Sequence, residues 1–234
     1  MTPALDFSRF QAITFDCYGT LIDWETGILG AIGPILLSHG AELSDPEILR
    51  LYSELEAEAE SSHYQPYREI LRNVVRGFGN RLGFHATDVE QQSLPNSLAN
   101  WKPFPDTVAA LRQLKTRFKL GIISNVDDDL FSASARRLEI EFDFVTTAGQ
   151  ARAYKPSLDI FRLAQKKTGL QPEQWLHAGQ SIYHDVIPAK SLGISTVWVN
   201  RPSPRPGAGA AKLASAKPEV EVATLQQLAD LAPV

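Results

Sequence analysis

Six short apolar runs rich in branched and aromatic residues, at positions 11–15, 119–123, 142–146, 175–178, 196–199 and 219–222, alternate with segments of helical periodicity. Strands joined by helical crossovers pair in parallel, the crossovers are right-handed, and helices then cover both faces of the sheet. Val108, Leu111 and Leu114 place a helix over 106–118, while Gly169 and Gly193 stop helices over 157–168 and 185–192. The expected fold is α/β, built on a parallel sheet core.

The rhythm breaks once. The stretch 22–100 is helical in pattern throughout, although a crossover needs only one helix. An inserted helical domain over 22–100 is therefore expected, with 1–21 and 101–234 forming the core. Asp45 and Pro46 read as a cap and first-turn proline, after which Ile48, Tyr52, Leu55 and Ala59 recur on one face. Glu54, Glu56, Glu58 and Glu60 read as a solvated acidic face. A second helix over 66–82 gathers Ile70, Val74 and Phe78, and Thr87 with Asp88 opens a third. Open α/β sheets bind ligands beyond the carboxyl ends of their strands, so the insertion is expected to roof a site there.

Composition narrows the partners. Lys and Arg total 23 against 27 Asp and Glu, a net charge of −4, which argues against work on nucleic-acid phosphates or anionic lipid. A small molecule is the expected partner, with no nucleic acid and no membrane. The single cysteine, Cys17, excludes an intrachain disulfide and every multi-cysteine metal framework. The segment MTPALDFSRF lacks a basic start followed by an apolar run, and the apolar stretch 27–37 is too short for a bilayer and contains Pro34. A cytoplasmic protein is expected. Residues 202–218, rich in proline, glycine and alanine, read as a surface loop.

Several residues converge on the same sheet edge. Asp16 closes the strand ITFD ahead of a tight turn, where a carboxylate projects into the ligand crevice and can serve as a nucleophile. Ser124 and Asn125 end the strand KLGII, Lys155 precedes Pro156 at a helix start, and the strand WLHAG leads to Gln180, Ser181 and Asp185. Taken singly, each has a plain structural role as a turn residue, a cap or a solvated charge. Cys17 reads as a packed thiol, Asp127, Asp128 and Asp129 as helix-start carboxylates, and His177 as a hydrogen-bonded core residue. His184 adjoins Asp185 and is a candidate contact for substrate or water.

Together, FDCYGTLID, LGIISN, Tyr154-Lys155-Pro156 and HAGQSIYHD resemble, in order, the four motifs of the haloacid dehalogenase superfamily of hydrolases, and PFPDTVAALRQLK resembles the segment that resumes its core. The resemblance implies a Rossmann-like core with an inserted cap and Asp16 as nucleophile, with Lys155 and Asp185 beside it. Most members are magnesium-dependent phosphatases with a second aspartate two residues after the nucleophile. Here that residue is Tyr18, a phenol of ordinary pKa about 10 and a poor general acid near neutrality. Gln180 replaces a further aspartate, which weakens any magnesium site. No metal and no cofactor is therefore expected, with magnesium the requirement of the phosphatase alternative.

The segment D-x-Y-G-T is similar to the branch that holds the L-2-haloacid dehalogenases. That likeness implies attack by Asp16 on a halogen-bearing carbon, departure of halide without a proton, and hydrolysis of the aspartyl ester. Thr20, Ser124 and Lys155 would position the substrate carboxylate and the nucleophile, with Tyr18, Gln180 and Ser181 also bordering the substrate. Asn125 would face the halide, and Asp185 would fix Lys155 or activate water. The chain departs from the branch at Phe161, where a tyrosine is usual, and at Ile182, where an asparagine is usual. Arg50, Arg68 and Arg72 are candidates for the cap arginine that holds the halide, and Arg68, beside Tyr64 and Tyr67, is preferred. The leading expectation is a dehalogenase acting on a small anionic 2-haloacid. A magnesium phosphatase and a silent ligand-binding member are the alternatives, and a homodimer is compatible with the chain.

Overall fold

A computed structural model describes residues 5–61, 63–203, 210 and 214–232. Its strands are β1 (Ala12–Phe15), β2 (Lys119–Ser124), β3 (Phe144–Thr147), β4 (Trp175–Gly179), β5 (Ser195–Val199) and β6 (Val220–Val222). They form one parallel sheet in the order β3-β2-β1-β4-β5-β6. All six expected runs are strands. This order reverses direction at β1 and β4, so a crevice opens beyond their carboxyl ends.

Period-two alternation assigns the two faces. Ile13, Phe15, Leu120, Ile122, Leu176 and Ala178 join one apolar cluster with Leu111 and Leu114 of α5 (Thr107–Lys115) and Leu225 and Leu228 of α10 (Leu225–Leu231). Ile123 and Trp175 face the other way, onto Ile160 and Phe161 of α8 (Leu158–Thr168) and Ala189 of α9 (Ile187–Ser191). Both faces are therefore covered, as buried parallel strands require. Polar Thr14 and His177 sit on this second face and satisfy each other by a 2.9 Å hydrogen bond.

Between β1 and β2 lie α1 (Trp24–Ser38), α2 (Asp45–Glu60), α3 (Tyr67–Leu82) and α4 (Asp88–Ser97), which pack on one another. Helix α1 escaped the periodicity reading because Pro34 and three glycines interrupt its pattern. Gly27 is required there, since a Cβ would meet the Trp101 ring at 2.4 Å. The cap of α2 is Ser44 instead of the expected Asp45, and its backbone N–H donates to Glu47 Oε2 at 2.8 Å.

The insertion leaves and rejoins the sheet at one place. The Asp23 N–H donates to the Lys102 carbonyl at 2.9 Å, and Ile22 bridges Pro103. A second junction adds a role to the helix-start carboxylates at 127–129. Asp127 stands at the start of α6 (Asp128–Leu138) but makes no side-chain cap there. Its carboxylate instead accepts the N–H groups of Tyr67 and Arg68 at 3.0 and 2.9 Å, capping α3 from the core. The Tyr154 hydroxyl donates to the Gln65 carbonyl at 2.7 Å beside it.

Among the described residues no helix is long and apolar enough to cross a membrane. Residues 204–209 and 211–213 of the expected 202–218 loop lie outside the described residues.

Candidate active site

Three strand ends and the loop after β3 assemble the site. Asp16 follows β1, and its N–H is paired with the Ala178 carbonyl at 3.0 Å, which fixes the backbone from which its carboxylate projects. Lys155 Nζ donates to Asp16 Oδ1 at 2.7 Å, to Asp185 Oδ1 at 2.7 Å and to the Ile123 carbonyl at 3.0 Å. An ammonium has three donors. All of them are engaged, so Lys155 orients the carboxylates and retains no N–H for a substrate, contrary to expectation.

The second oxygen of Asp16 accepts from the Thr20 hydroxyl at 2.8 Å, and Thr20 Oγ1 accepts the Gln180 N–H at 2.9 Å. Thr20 is fully buried and outside the cavity wall. It holds the nucleophile candidate from behind the cavity wall.

Asp185 reaches Lys155 through a wide turn over Ile182–Val186. Its Oδ2 accepts the Ser181 N–H at 3.2 Å, and its Oδ1 lies 3.2 Å from His177 Nε2. An ionised carboxylate only accepts, so Nε2 carries the proton and Nδ1 accepts from Thr14. Trp175 Nε1 donates to Thr14 Oγ1 at 2.7 Å and closes the chain. The expectation of a hydrogen-bonded His177 thus acquires a purpose, since the ring supports Asp185 from behind.

Burial governs the titration of these groups, and their mutual charges decide its sign. Desolvation pushes the Asp16 carboxyl above its ordinary value despite the Lys155 charge, with the nearby Asp185 charge pushing the same way. Burial also disfavours the Asp185 carboxylate, but Lys155 and His177 outweigh it and hold that carboxyl below its ordinary range. Burial would lower the Lys155 ammonium, yet the two carboxylates hold it above its ordinary value.

Asp16, Ser124, Asn125, Lys155, Gln180, Ser181 and Asp185 border a cavity of about 490 Å³. Tyr18 borders it too, but its hydroxyl is hydrogen-bonded to Ser134 Oγ at 2.8 Å, and burial pushes the phenol well above its ordinary value. Asn125 is tied to the Lys155 backbone, accepting its N–H at 2.6 Å and donating to its carbonyl at 3.2 Å. That arrangement spends the amide oxygen on loop geometry. Arg68 is corrected outright: it lies off the cavity wall and pairs with Asp129 at 2.7 Å. Arg50 pairs with Glu54 and Arg72 with Glu69 in the same way.

Other residues take the places the sequence reading left empty. Glu56 and Glu60 line the cavity, whereas Glu54 and Glu58 stand 42 and 60% exposed outside it. The acidic run is therefore not one face. Glutamates at 56 and 60 are one turn apart, and their alternation with 54 and 58 puts the pairs on different sides of α2. Arg152 also borders the cavity, with its guanidinium 4.5 Å from the Tyr64 ring centroid. Its φ of +54° is costly for a residue with a Cβ.

These residues do not fit a divalent cation. Asp16 and Asp185 already share one ammonium, positions 18 and 180 supply a phenol and an amide, and among the described residues no group of three His, Cys, Asp or Glu side chains could hold a metal ion.

A family model described as haloacid dehalogenase-like hydrolase matches residues 10–193. Haloacetate dehalogenase H-2 of Moraxella sp. (strain B) is 27% identical over 199 residues, covering 82% of this chain and 87% of that protein. Glyceraldehyde 3-phosphate phosphatase of Methanothermobacter thermautotrophicus is 28% identical over 197 residues, covering 81% and 85%. The structure of the L-2-haloacid dehalogenase from Xanthobacter autotrophicus with chloropropionic acid covalently bound superimposes with a TM-score of 0.79 at 20% identity, over 95% of this chain and 98% of that one.

Proposed function

The chain belongs to the haloacid dehalogenase-like hydrolases, and from that premise we propose that it displaces halide from a small 2-haloacid through an ester on Asp16. The observation that carries this reading is the setting of Asp16: one oxygen on Lys155, the other on Thr20, and a tyrosine with an occupied hydroxyl at the position of the phosphatase general acid. Such a site supplies a nucleophile and lacks a proton donor for an alkoxide. A halide leaves without one.

In the first step an Asp16 oxygen forms a bond to the halogen-bearing carbon as the carbon–halogen bond breaks, and its electron pair leaves as halide. In the second, water adds to the ester carbonyl, the Asp16 carboxylate is released, and the product hydroxyl and one proton complete the balance. Thr20 and Lys155 hold the carboxylate in one orientation, which is the main saving available to a displacement between two bound groups. Removal of Asp16 from water leaves its anion short of solvation, and the Lys155 charge offsets part of that penalty. Asp185 acts through Lys155 as a positioning residue. Residues 22–100 serve in this reading as a cap over the cavity, with α2 as its inner wall. The covalent adduct in the Xanthobacter relative supports the first step.

The test is halide release from chloroacetate and both enantiomers of 2-chloropropionate, with and without chelator, beside phosphate release from a generic aryl phosphate with magnesium. Halide release that survives chelation is expected. Chelator-sensitive phosphate release without halide release would establish the phosphatase alternative, and turnover of neither substrate class the silent one.

A further inference from the structure

Ser53, Glu56, Ala57 and Glu60 of α2 line the cavity, and their spacing puts them on one helical face. Glu56 is anchored by the Tyr52 and Tyr67 hydroxyls at 2.7 and 2.5 Å. No described residue donates a hydrogen bond to Glu60, and burial, with the Glu56 charge adding to it, pushes its carboxyl well above its ordinary range against the pull of Lys155. Among the described residues no lysine or arginine of α1 to α4 borders the cavity. Acids thus stand where a cation for the halide was expected.

The core side shows the complementary shortage. Lys155 has spent its three donors, which leaves Arg152 as the cavity-lining guanidinium without a carboxylate partner among the described residues. Ser124 Oγ, in a residue with no exposed surface, also lacks a hydrogen-bond partner and belongs to the same wall. A buried hydroxyl without a partner costs free energy until a ligand satisfies it. On the cavity walls the carboxyl groups of Asp16, Asp185, Glu56 and Glu60 outnumber the cations Lys155 and Arg152, so a ligand that brings its own ammonium suits this lining better than a simple haloalkanoate does.

We propose that the substrate is zwitterionic, its carboxylate taken by Arg152 and the Ser124 hydroxyl and a protonated amine taken by Glu56 and Glu60. The identity of the reacting carbon rests on the dehalogenase reading; the amine site does not. An ammonium between Glu56 and Glu60 supplies the donor that Glu60 lacks and relieves the repulsion between the two carboxyls.

Calorimetric titration of the intact protein with 4-aminobutanoate and with butanoate, neither of which carries a leaving group, tests the site directly. The amine-bearing ligand is expected to bind about tenfold or more tightly than butanoate. Glu60→Gln should shrink that preference to about twofold, and Glu60→Lys should reverse it. Equal affinities in the unmodified protein, tighter butanoate, binding of neither ligand, or a preference unchanged by Glu60→Gln overturn the assignment. Halide release from 2-chlorobutanoate and 4-amino-2-chlorobutanoate separates the two readings. Amine preference in binding without halide from either compound refutes the dehalogenase and keeps the amine site. Equal halide release and equal affinity do the converse.

Discussion

A Cβ on Gly179 would lie 2.4 Å from Asp185 Cγ, so the bare backbone at the end of β4 is what admits the Asp185 side chain beneath Lys155. Real Cβ contacts are never that short, and the obstructing atoms belong to a buried carboxylate with its bonds already committed. Gly179→Ala should therefore move Asp185, loosen Lys155, and cost about 1–3 kcal/mol of stability. Halide release should fall by about tenfold or more, because a displaced ammonium no longer aligns Asp16. Parallel denaturation and rate measurements check this; an unaffected rate would dissociate Asp185 from the chemistry.

Asp16→Asn should abolish turnover while the fold persists, since the amide is nearly isosteric and Thr20 and Lys155 remain in place. A single turnover of the unmodified protein in heavy-oxygen water locates the bond-making step. Label should appear in the Asp16 carboxylate before it appears in product. Mass spectrometry of the peptide containing Asp16 reads the result, and product labelled on the first turnover would contradict the ester.

The two carboxylates on Lys155 should act on stability with opposite signs. Asp16 has its carboxyl raised in the fold, so its contribution is present at low pH and lost as pH rises through the folded value. Asp185 has its carboxyl lowered, so its contribution is present above the ordinary carboxylate value and lost as pH falls beneath it. At neutral pH Asp16→Asn should leave the protein as stable as before or more so, and that advantage should fade on acidification. Asp185→Asn should lower stability by about 1–3 kcal/mol, the worth of hydrogen bonds to a charged group, with the deficit shrinking below about pH 4. Denaturant midpoints from pH 3 to 8 measure both trends.

Asp127→Ala should weaken the junction between α3 and the core. Two helix N–H groups lose their acceptor, a change worth about 1 kcal/mol. The predicted kinetic signature is a raised KM with a smaller change in kcat, because the loop that carries Gln65 and abuts Tyr154 closes one side of the cavity. Arg68→Ala removes an ion pair with Asp129, whose side chain is 65% exposed, and an exposed hydrogen bond to Asn96 Oδ1, and should alter halide release by less than about twofold.

The sheet was legible because strand and helix periodicities differ and because the insertion interrupts them once. Asp16, Lys155 and Asp185 were legible as a set because the motifs that carry them follow the order of the haloacid dehalogenase superfamily, whereas singly each reads as a turn residue, a solvated charge or a cap. What escaped depends on contacts between distant segments. Period two along a helix splits Glu54 and Glu58 from Glu56 and Glu60, and that geometry was available from the sequence. The wall that Glu56 and Glu60 face was not. Arg152 gave no local sign of its placement, since it is the left-handed cap that ends α7 (Ala148–Ala151), a position that favours glycine. Arg68 misled because proximity to Tyr64 and Tyr67 in sequence says nothing about which side of α3 the core occupies.

The meeting of Ile22 with Pro103, and of Asp23 with Lys102, has a bearing on how such a chain can be rebuilt. A segment whose two ends are already neighbours adds little closure entropy however long it is, because the cost grows only with the logarithm of length. The sheet is thus indifferent to what hangs between residues 22 and 103, provided the ends arrive together. Exchanging those helices for another bundle of matched ends would leave strand pairing untouched while replacing Glu56 and Glu60, the acids that line the cavity with Asp16. In the proposed reading, substrate choice and scaffold are then separately heritable parts of one polypeptide.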